Sequence, residues 1–338
     1  MAEARPRWLQ AVYFVAGIAA MAALGWVAMR VWPREALPDG WMRIAPPHDV
    51  MALAEIDGEI WSGGRDGLVV IDRETGQLTR EIKGDVPFEY VTDIVVSARD
   101  GAIWISHMRG LSRYDGGAWQ TLTTADGLTG GRAMALVEAP DGDLWVGTEQ
   151  GVTRLWDGAA QRFTKADGLM TEGCAHLFLD SHDRLWCGNG RSTEAGASVL
   201  EDEVWGPMPD FARLGHPMLN AVLETGDGTL WFGTGFSAEG ALSIIDDGMW
   251  RTLTKDDGLA GAKVQSLFQD DAGVIWASSE YNGTTRMAAD SWQIITPEEG
   301  LAGWEVMAAL QDSRGNLWLG TELGLTRLSH AAWLALGD

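Results

Sequence analysis

The sequence predicts an all-β chain, folded as a seven-bladed β-propeller of four-stranded antiparallel blades and preceded by one transmembrane α-helix. A tryptophan-containing segment, such as DLWVGT, recurs seven times at spacings of 41 to 45 residues. Asp-Gly and single-glycine turn signals divide each copy into four short β-prone runs, which is typical of antiparallel hairpins. A repeat of about 42 residues with four strands is typical of a propeller blade.

The first element is an uncharged run of 22 residues, 8–29. At about 1.5 Å per residue, a helix of this length crosses a hydrocarbon core of roughly 30 Å. We therefore predict a short tail at 1–7, a transmembrane anchor at 8–32, a linker at 33–40 and the propeller at 41–338. A cleaved signal peptide is the alternative, because residues 20–22 read Ala-Met-Ala, although the apolar run continues past them.

The predicted anchor carries small side chains four residues apart. Such spacing allows a second helix to approach closely in lipid. We expect this face to pack against another membrane protein, although a generic alanine-rich span would show the same composition. The residues concerned are Ala16, Ala19, Ala20 and Ala23.

The repeated tryptophans define the blades. Because each blade has an apolar face that it cannot bury alone, the copies are expected to stack around an axis until the ring closes. The tryptophans are therefore predicted to be core residues between neighbouring blades. They are Trp61, Trp104, Trp145, Trp186, Trp231, Trp276 and Trp318.

The two ends of the domain both offer a fourth strand for the last blade. Tryptophans in fourth-strand positions occur at Trp119, Trp205, Trp250 and Trp292, and also at Trp41 and Trp333. The last blade needs only one fourth strand, so one of the two end segments is not required. We favour closure by the N-terminal strand around Trp41, and the C-terminal strand around Trp333 stays open as the alternative.

Composition excludes some functions. The net charge of −23 argues against a nucleic-acid partner, because phosphate binding needs a basic surface. Cys174 and Cys187 form no metal-binding pattern. If the first two strands of the fourth copy pair around the DSHD turn, Cys187 faces residue 177 or 178. Cys174 then lies roughly 10 Å or more away at 3.3 Å per residue, which predicts two free thiols.

The copies differ most in the connection between the second and third strands. From the tryptophan to the next strand-opening glycine, copies four, five and six take ten, nine and seven residues, whereas the other copies take six. Loops on a rigid scaffold are where binding residues usually lie. We predict contact residues at Arg191, Phe236 and Tyr281, with Trp304 on the same face, although neutral loop variation is the alternative.

Two further positions depart from the repeat. Copies two and four have His107 and Asn189 where other copies have threonine, and copy four has His176 where small residues recur. We retain His107 and Asn189 as candidate binding residues near the central channel. A structural, hydrogen-bonded role is the alternative for such isolated histidines.

The pattern DGL, an apolar strand, DG-LW-GT and GL-R resembles the repeat of the two-component regulator propeller family over residues 40–338. This resemblance implies a propeller outside the cytoplasmic membrane, often as the sensor part of a histidine kinase. The sequence departs from that arrangement because no kinase, second transmembrane segment or DNA-binding domain follows the seventh copy. The resemblance therefore implies fold and compartment, and does not extend to signalling.

The same fold also resembles the propeller lyases that open streptogramin antibiotics with histidines and a divalent metal. Here the six histidines are scattered along the sequence, and no GxSxG, HExxH or phosphate-binding loop occurs. We therefore expect no catalytic residues, no metal and no cofactor.

These observations lead to a functional hypothesis. We expect a non-catalytic, single-span accessory subunit of the bacterial inner membrane. Its periplasmic propeller would bind and stabilise a larger membrane protein complex, for example a respiratory or photosynthetic one. Its partners would be the lipid bilayer, through residues 8–32, and other membrane proteins. The alternative is a ligand-sensing extracytoplasmic propeller that acts with a separate signalling partner, and a metal-dependent propeller lyase is a less favoured one.

Overall fold

The computed structural model describes residues 36–189, 195–289 and 291–337. The chain divides into two compact units, of which the second, Pro38–Asp338, contains every described strand. The predicted tail at 1–7, the anchor at 8–32 with its four alanines, and residues 33–35 lie outside the described residues. Within the described ranges, no helix has the length and apolarity that crossing a membrane requires.

The described strands form seven four-stranded antiparallel sheets, which confirms the predicted blades. Blade 1 contains β2 (Val50–Ile56), β3 (Glu59–Gly64), β4 (Gly67–Ile71) and β5 (Leu78–Ile82). Blade 2 contains β6 (Asp93–Val96), β7 (Ile103–His107), β8 (Gly110–Tyr114) and β9 (Trp119–Leu122). Blade 3 contains β10 (Ala133–Glu138), β11 (Leu144–Thr148), β12 (Gly151–Trp156) and β13 (Ala159–Phe163).

The remaining blades have the same order. Blade 4 contains β14 (His176–Leu179), β15 (Leu185–Asn189), β16 (Gly196–Glu201) and β17 (Val204–Pro207). Blade 5 contains β18 (Leu219–Glu224), β19 (Leu230–Phe236), β20 (Glu239–Asp246) and β21 (Met249–Leu253). Blade 6 contains β22 (Val264–Gln269), β23 (Ile275–Ser279), β24 (Thr284–Met287) and β25 (Trp292–Ile295). Blade 7 contains β26 (Val306–Gln311), β27 (Leu317–Thr321), β28 (Gly324–Leu328) and β1 (Trp41–Ile44).

The first strands of successive blades line the centre of the ring. Each contacts the first strand of the next blade, and β2 contacts both β6 and β26. The ring is therefore closed, and its centre is walled by residues from all seven first strands.

The N-terminal strand closes the ring, as favoured from the sequence. β1 pairs with β28 from Trp41 opposite Leu328 to Ile44 opposite Leu325. Closure is reinforced at the rim, where the Arg43 Nε donates to the Gly300 carbonyl at 2.9 Å. The alternative was wrong because Trp333 lies in a short helix, α1 (His330–Leu334), where its buried indole N–H donates to the Gly315 carbonyl.

The repeated tryptophans form the core between blades, as predicted. Five of them are buried, and Trp104 and Trp231 are part-buried. In three blades the indole N–H also donates to an aspartate in the preceding turn, which joins Trp186 to Asp180, Trp276 to Asp270 and Trp318 to Asp312 at 2.8 to 2.9 Å. Such bonds satisfy a polar group that burial would otherwise leave without a partner.

The two cysteines form a disulfide, so the prediction of two free thiols was wrong. The predicted register is present, because Cys187 lies opposite Leu177. However, Cys174 precedes β14 and does not extend along it: its N–H donates to the Thr148 carbonyl of blade 3, and the N–H of Ala175 donates to Gly188. The chain therefore returns toward β15, and the two Cα atoms are 5.6 Å apart.

Short 3-10 helices begin several blade-to-blade connections, at Thr124–Asp126, Lys165–Asp167 and Lys255–Asp257. In each, a threonine and an aspartate three residues later form a capping box, and a glycine in the left-handed conformation ends the turn. Two further 3-10 helices lie at Phe211–Arg213 and Ala335–Gly337. The capped turns fix the direction in which each connection reaches the next first strand.

Candidate functional site

One face of the propeller collects the irregular segments. In blades 6 and 7, Val264 pairs with Ser279 and Val306 pairs with Thr321, so the start of each first strand lies beside the end of the second strand. Both the blade-to-blade connections and the turns between second and third strands therefore lie on the same face. We call this the loop face.

The central cavity, of about 440 Å³, opens among the first strands. The residue immediately before the first strand is Arg132 in blade 3, Lys263 in blade 6 and Glu305 in blade 7, and all three line this cavity. The mouth on the loop face thus combines two cationic side chains with one carboxylate.

Asp93 and His176 line the wall of the same cavity. Asp93 connects two blades, because its carboxylate accepts the N–H of Ile94 at 2.9 Å and the N–H of Leu136 at 2.8 Å. Burial nevertheless raises the pKa of Asp93 to about 6, since the loss of hydration outweighs these two hydrogen bonds.

A second cleft, of about 400 Å³, lies between blades 6 and 7 on the loop face. Its lining contains two aromatic rings and three carboxylates, and Glu305 lines both this cleft and the central cavity. We call it the aromatic cleft, and it is lined by Glu280, Tyr281, Asn282, Trp304, Glu305 and Glu322.

Glu322 holds the connection that carries Trp304. Its two carboxylate oxygens accept the N–H groups of Trp304 and Glu305, both at 2.9 Å. The preceding Gly303 is required for this arrangement, because a Cβ at that position would overlap the Glu322 carboxylate. Trp304 is therefore held at the cleft by backbone contacts, and its indole is left half-buried at the rim.

Blade 3 repeats this clamp without the aromatic residues. There the Glu149 carboxylate accepts the N–H groups of Gly131 and Arg132 at 2.9 and 2.8 Å. Glu149 and Glu322 hold equivalent positions, since each directly follows the threonine that ends its second strand. Blade 3 therefore provides an internal comparison for the aromatic cleft.

Blade 6 uses its own glutamate differently. The Glu280 carboxylate accepts a salt bridge from the Lys263 ammonium at 3.2 Å, with both side chains less than one-fifth exposed. A hydrogen bond with Glu280 also raises the pKa of the Tyr281 hydroxyl. The loop bearing Tyr281 is thus oriented by charge, and Tyr281 itself is 64% exposed.

Glu305 is a half-buried carboxylate of the aromatic cleft. Burial raises its pKa, and the nearby Glu280 and Glu322 charges act in the same direction. A hydrogen bond from the Gln265 amide, at 3.0 Å, and the Lys263 charge oppose the shift. The cleft therefore has more carboxylate charge than its lysine neutralises.

The predicted contact residues are partly brought together. Tyr281 and Trp304 line one cleft, as their placement on the same face predicted. Phe236 lies on the loop face in blade 5 but at the tip of an extended hairpin, because Phe236 pairs with Glu239 and the added residues lengthen the strands. It is 58% exposed. Arg191 lies outside the described residues.

His107 and Asn189 are buried at the ends of their second strands and do not line either cavity. The His107 ring accepts the Arg109 N–H at Nδ1 and lies 2.8 Å from the Ser112 hydroxyl at Nε2. Hydrogen bonds continue from Ser112 to Thr121 and on to Asp85. Burial lowers the pKa of His107 to about 4. Its surroundings match the structural alternative.

Sequence reasoning missed the charged residues of the cavities. A signal was available: the residue before the first strand is charged in blades 3, 6 and 7, and a glutamate follows the second strand in the same three blades. Aligning the copies at these positions would have found Arg132, Lys263 and Glu305 together with Glu149, Glu280 and Glu322.

The described side chains include no group of three or more histidine, cysteine, aspartate or glutamate residues arranged to hold a metal ion. The two cavities present several groups that can contact a ligand. Aromatic faces, fixed carboxylates, an arginine and a lysine can bind and orient a small polar or charged molecule.

Comparison with known proteins gives two short matches to one family. They cover residues 127–150 and 303–322. Both are matches to the two component regulator propeller family. Each segment runs from a blade connection through the second strand, and the two contain the clamping residues Glu149 and Glu322. Together with the seven-bladed fold, they support assignment to this type of propeller. None of the curated proteins matches the sequence.

Several solved structures share the fold. The extracellular domain of the hybrid two component system BT3049 from B. thetaiotaomicron aligns over 87% of this chain and 42% of its own length, with a TM-score of 0.72 and 17% identity. PorZ, a bacterial surface component of the type-IX secretion system of Porphyromonas gingivalis, aligns over 87% of this chain and 48% of its own, with a TM-score of 0.66 and 15% identity. The chain thus spans less than half of either protein.

A third similar structure is an enzyme. Catalytically inactive virginiamycin B lyase from Staphylococcus aureus, with quinupristin, aligns over 86% of this chain and 98% of its own. The TM-score is 0.64 and the identity 15%. At such identities the likeness concerns the fold alone.

Proposed function

We propose that the protein is an extracytoplasmic sensing propeller that binds a small ligand on its loop face and acts with a signalling partner. The observation that carries this proposal is the convergence of the central cavity, the aromatic cleft and the exposed Phe236 on a single face. Concave sites with a few fixed polar groups are typical of small-molecule binding.

Two further observations support the proposed compartment. Similar structures include extracellular domains of hybrid two component systems. The Cys174–Cys187 disulfide also fits a domain outside the cytoplasm, because disulfides persist in oxidising compartments. Under this proposal, residues 8–32 anchor the chain in the bacterial cytoplasmic membrane and the propeller lies on the periplasmic side.

The likeness to extracellular domains of two component systems favours this function over an accessory subunit of a respiratory or photosynthetic complex. Exposed aromatic residues dominate the binding energy of protein interfaces as well as that of ligand sites. The two functions are therefore separated by what binds, and we retain the accessory role as the outcome to be excluded.

The test is a thermal-stability screen of the full-length chain in a maltoside detergent. The probes are choline, cadaverine, glutamate, glucose and maltotetraose, which differ in charge and polarity. We expect at least one probe to raise the melting temperature of the native protein, because a ligand that binds only the folded state stabilises it by mass action. The same probe should not stabilise a variant with Phe236→Ala, Tyr281→Ala and Trp304→Ala.

The control for this variant is its own melting temperature without a probe. The three side chains are exposed or half-buried, so their removal should leave the fold intact. Equal stabilisation of the native protein and the variant would place the ligand elsewhere. Absence of stabilisation by every probe, with recovery of fixed membrane partners from mild detergent, would replace the sensing function by the accessory one.

A further inference from the structure

The aromatic cleft has the composition of a site for an organic cation. Tyr281 and Trp304 supply two ring faces, and Glu280, Glu305 and Glu322 supply three carboxylates around a volume of about 400 Å³. Rings attract a cation through their quadrupole, and carboxylates add a longer-range attraction. An anionic ligand would instead meet like charge at every polar wall except Asn282.

The cleft already binds one ammonium group at its edge. Lys263 directly precedes the first strand of blade 6, and its ammonium nitrogen lies 3.2 Å from the Glu280 carboxylate. This internal ion pair shows that the carboxylates are placed to accept an ammonium nitrogen. Glu305 and Glu322, the other two carboxylates of the lining, are not part of this ion pair.

The charge balance favours a second cation. Lys263 pairs with one of the three lining carboxylates, so the ionised cleft is left with an excess of two negative charges. Glu322 is partly satisfied by two backbone N–H groups, whereas Glu305 has one amide hydrogen bond, from Gln265. Glu305, which also lines the central cavity, therefore has more capacity than Glu322 to accept a hydrogen bond from a ligand.

We propose that the aromatic cleft binds an organic ammonium group between Tyr281 and Trp304, with Glu305 as its principal counter-ion. This inference rests on the proposed sensing function and specifies its ligand class. The ammonium belongs either to a free amine or to the side chain of a lysine in a peptide, and the chemistry of recognition is the same for both.

The equivalent place in blade 3 lacks these features. At this boundary, between blades 2 and 3, the clamp holds Gly131 and Arg132 where blade 7 has Trp304 and Glu305. Met108 and Arg109 follow the second strand of blade 2, where Glu280 and Tyr281 follow that of blade 6. A cationic arginine there would repel an ammonium. The blade 3 clamp therefore lacks the lining of the aromatic cleft, and Glu149→Gln provides the matched control variant.

The experiment is titration calorimetry on the full-length chain in maltoside detergent, which carries no ammonium group. The probes are choline and its neutral isostere dimethylbutanol, followed by the capped peptides Gly-Lys-Gly and Gly-Gly-Gly. We expect choline or the lysine peptide to bind and its neutral counterpart not to bind. The tighter of the two cations identifies the source of the ammonium group.

Variants then locate the site. Tyr281→Ala and Trp304→Ala should each weaken cation binding by about 3-fold to 30-fold, the range expected for a cation–π contact from exposed to desolvated. At low salt, Glu305→Gln should weaken cation binding more than either aromatic substitution does. Glu149→Gln in blade 3 should leave cation binding unchanged. Since burial raises the Glu305 pKa, native binding should strengthen as the pH rises through that pKa, and Glu305→Gln should lose this dependence.

The groups that face Glu305 are Lys263, Gln265, Glu280 and Glu322, and none of them is changed in the Glu305→Gln variant. Equal binding of choline and dimethylbutanol, or cation binding unaffected by both aromatic substitutions, would overturn the inference. If neither cation binds but glutamate or a sugar stabilises the native protein in the screen, the cation site is wrong and the sensing function stands. If no probe of either experiment binds, both are wrong.

Discussion

The break in the repeat at His107 predicts a binding residue, whereas its hydrogen bonds in the fold match a structural role. The interruption of the repeat at this position was readable from the sequence, whereas the hydrogen bonds to Arg109 and Ser112 depend on the turn that follows β7. Sequence alone could not distinguish the two roles, because an isolated imidazole acquires its function from partners that only the fold supplies.

Burial of His107 predicts a dependence of stability on pH. Its pKa is about 4 in the folded protein against 6.5 for an ordinary histidine. Because the folded state holds the ring neutral, its contribution is complete above pH 6.5 and is lost as the pH falls toward 4. The difference of about 2.5 pKa units corresponds to roughly 3 kcal/mol of unfolding free energy.

The measurement is urea unfolding of the native protein and of His107→Gln at several pH values. The advantage of the native protein should shrink by up to about 3 kcal/mol from pH 7 to pH 4. Comparison with the variant is needed because Asp93 acts in the opposite sense: its raised pKa makes its contribution less favourable as the pH rises through 6. A difference that is constant with pH would show that His107 is not held neutral by the fold.

At the scale of the element, the strand order could be predicted from the repeat, and the local departures could not. The hairpin of blade 5 shows why. Gly240 lies nine positions after Trp231, and the sequence does not say whether the added residues lengthen the loop or the strands that flank it. The pairing of Phe236 with Glu239 decides for the strands. The disulfide has the same origin, because the position of Cys174 depends on a hydrogen bond to a neighbouring blade.

The disulfide of blade 4 should stabilise the propeller. It joins residues 13 apart, and a loop of this size contributes about 3 kcal/mol when the unfolded chain is constrained. We expect a reducing agent to lower the free energy of unfolding of the native protein by about 2 to 4 kcal/mol. The double variant Cys174→Ala and Cys187→Ala is the control and should not respond to the reducing agent.

Mass spectrometry of the alkylated, unreduced protein provides an independent check. We expect one peptide pair linked through Cys174 and Cys187. Alkylation of both thiols in the unreduced folded protein, together with stability that a reducing agent does not change, would contradict it and restore the sequence-based prediction of free thiols.

At the scale of the whole molecule, ring closure joins residues that are nearly 300 positions apart. The number of blades and the candidate closing strands were predictable, because each copy carries its own tryptophan and turn signals. The sequence favoured Trp41 over Trp333 without deciding between them, since both ends present a tryptophan in a fourth-strand position. In the structure β1 pairs with β28, and Trp333 lies in α1 and not in a strand.

Closure predicts an unequal response of two tryptophans in fourth-strand positions. Trp41 is 9% exposed and packs over Gly300, whereas Trp292 in blade 6 is 39% exposed. Trp41→Ala should cost about 3 to 5 kcal/mol of unfolding free energy, as for other buried aromatic residues. Trp292→Ala should cost clearly less, by the same urea unfolding measurement. Equal costs would mean that β1 does not hold the ring closed.

The central claim is that the loop face is where the protein binds its ligand. It is tested most directly by hydrogen–deuterium exchange of the full-length chain, with and without a saturating amount of the probe that gives the largest thermal stabilisation. We expect slower exchange at 235–240, 280–283 and 303–305, where the blade 5 hairpin and the aromatic cleft lie. Protection confined to the opposite turns, such as 140–143, 181–184 and 271–273, would contradict it.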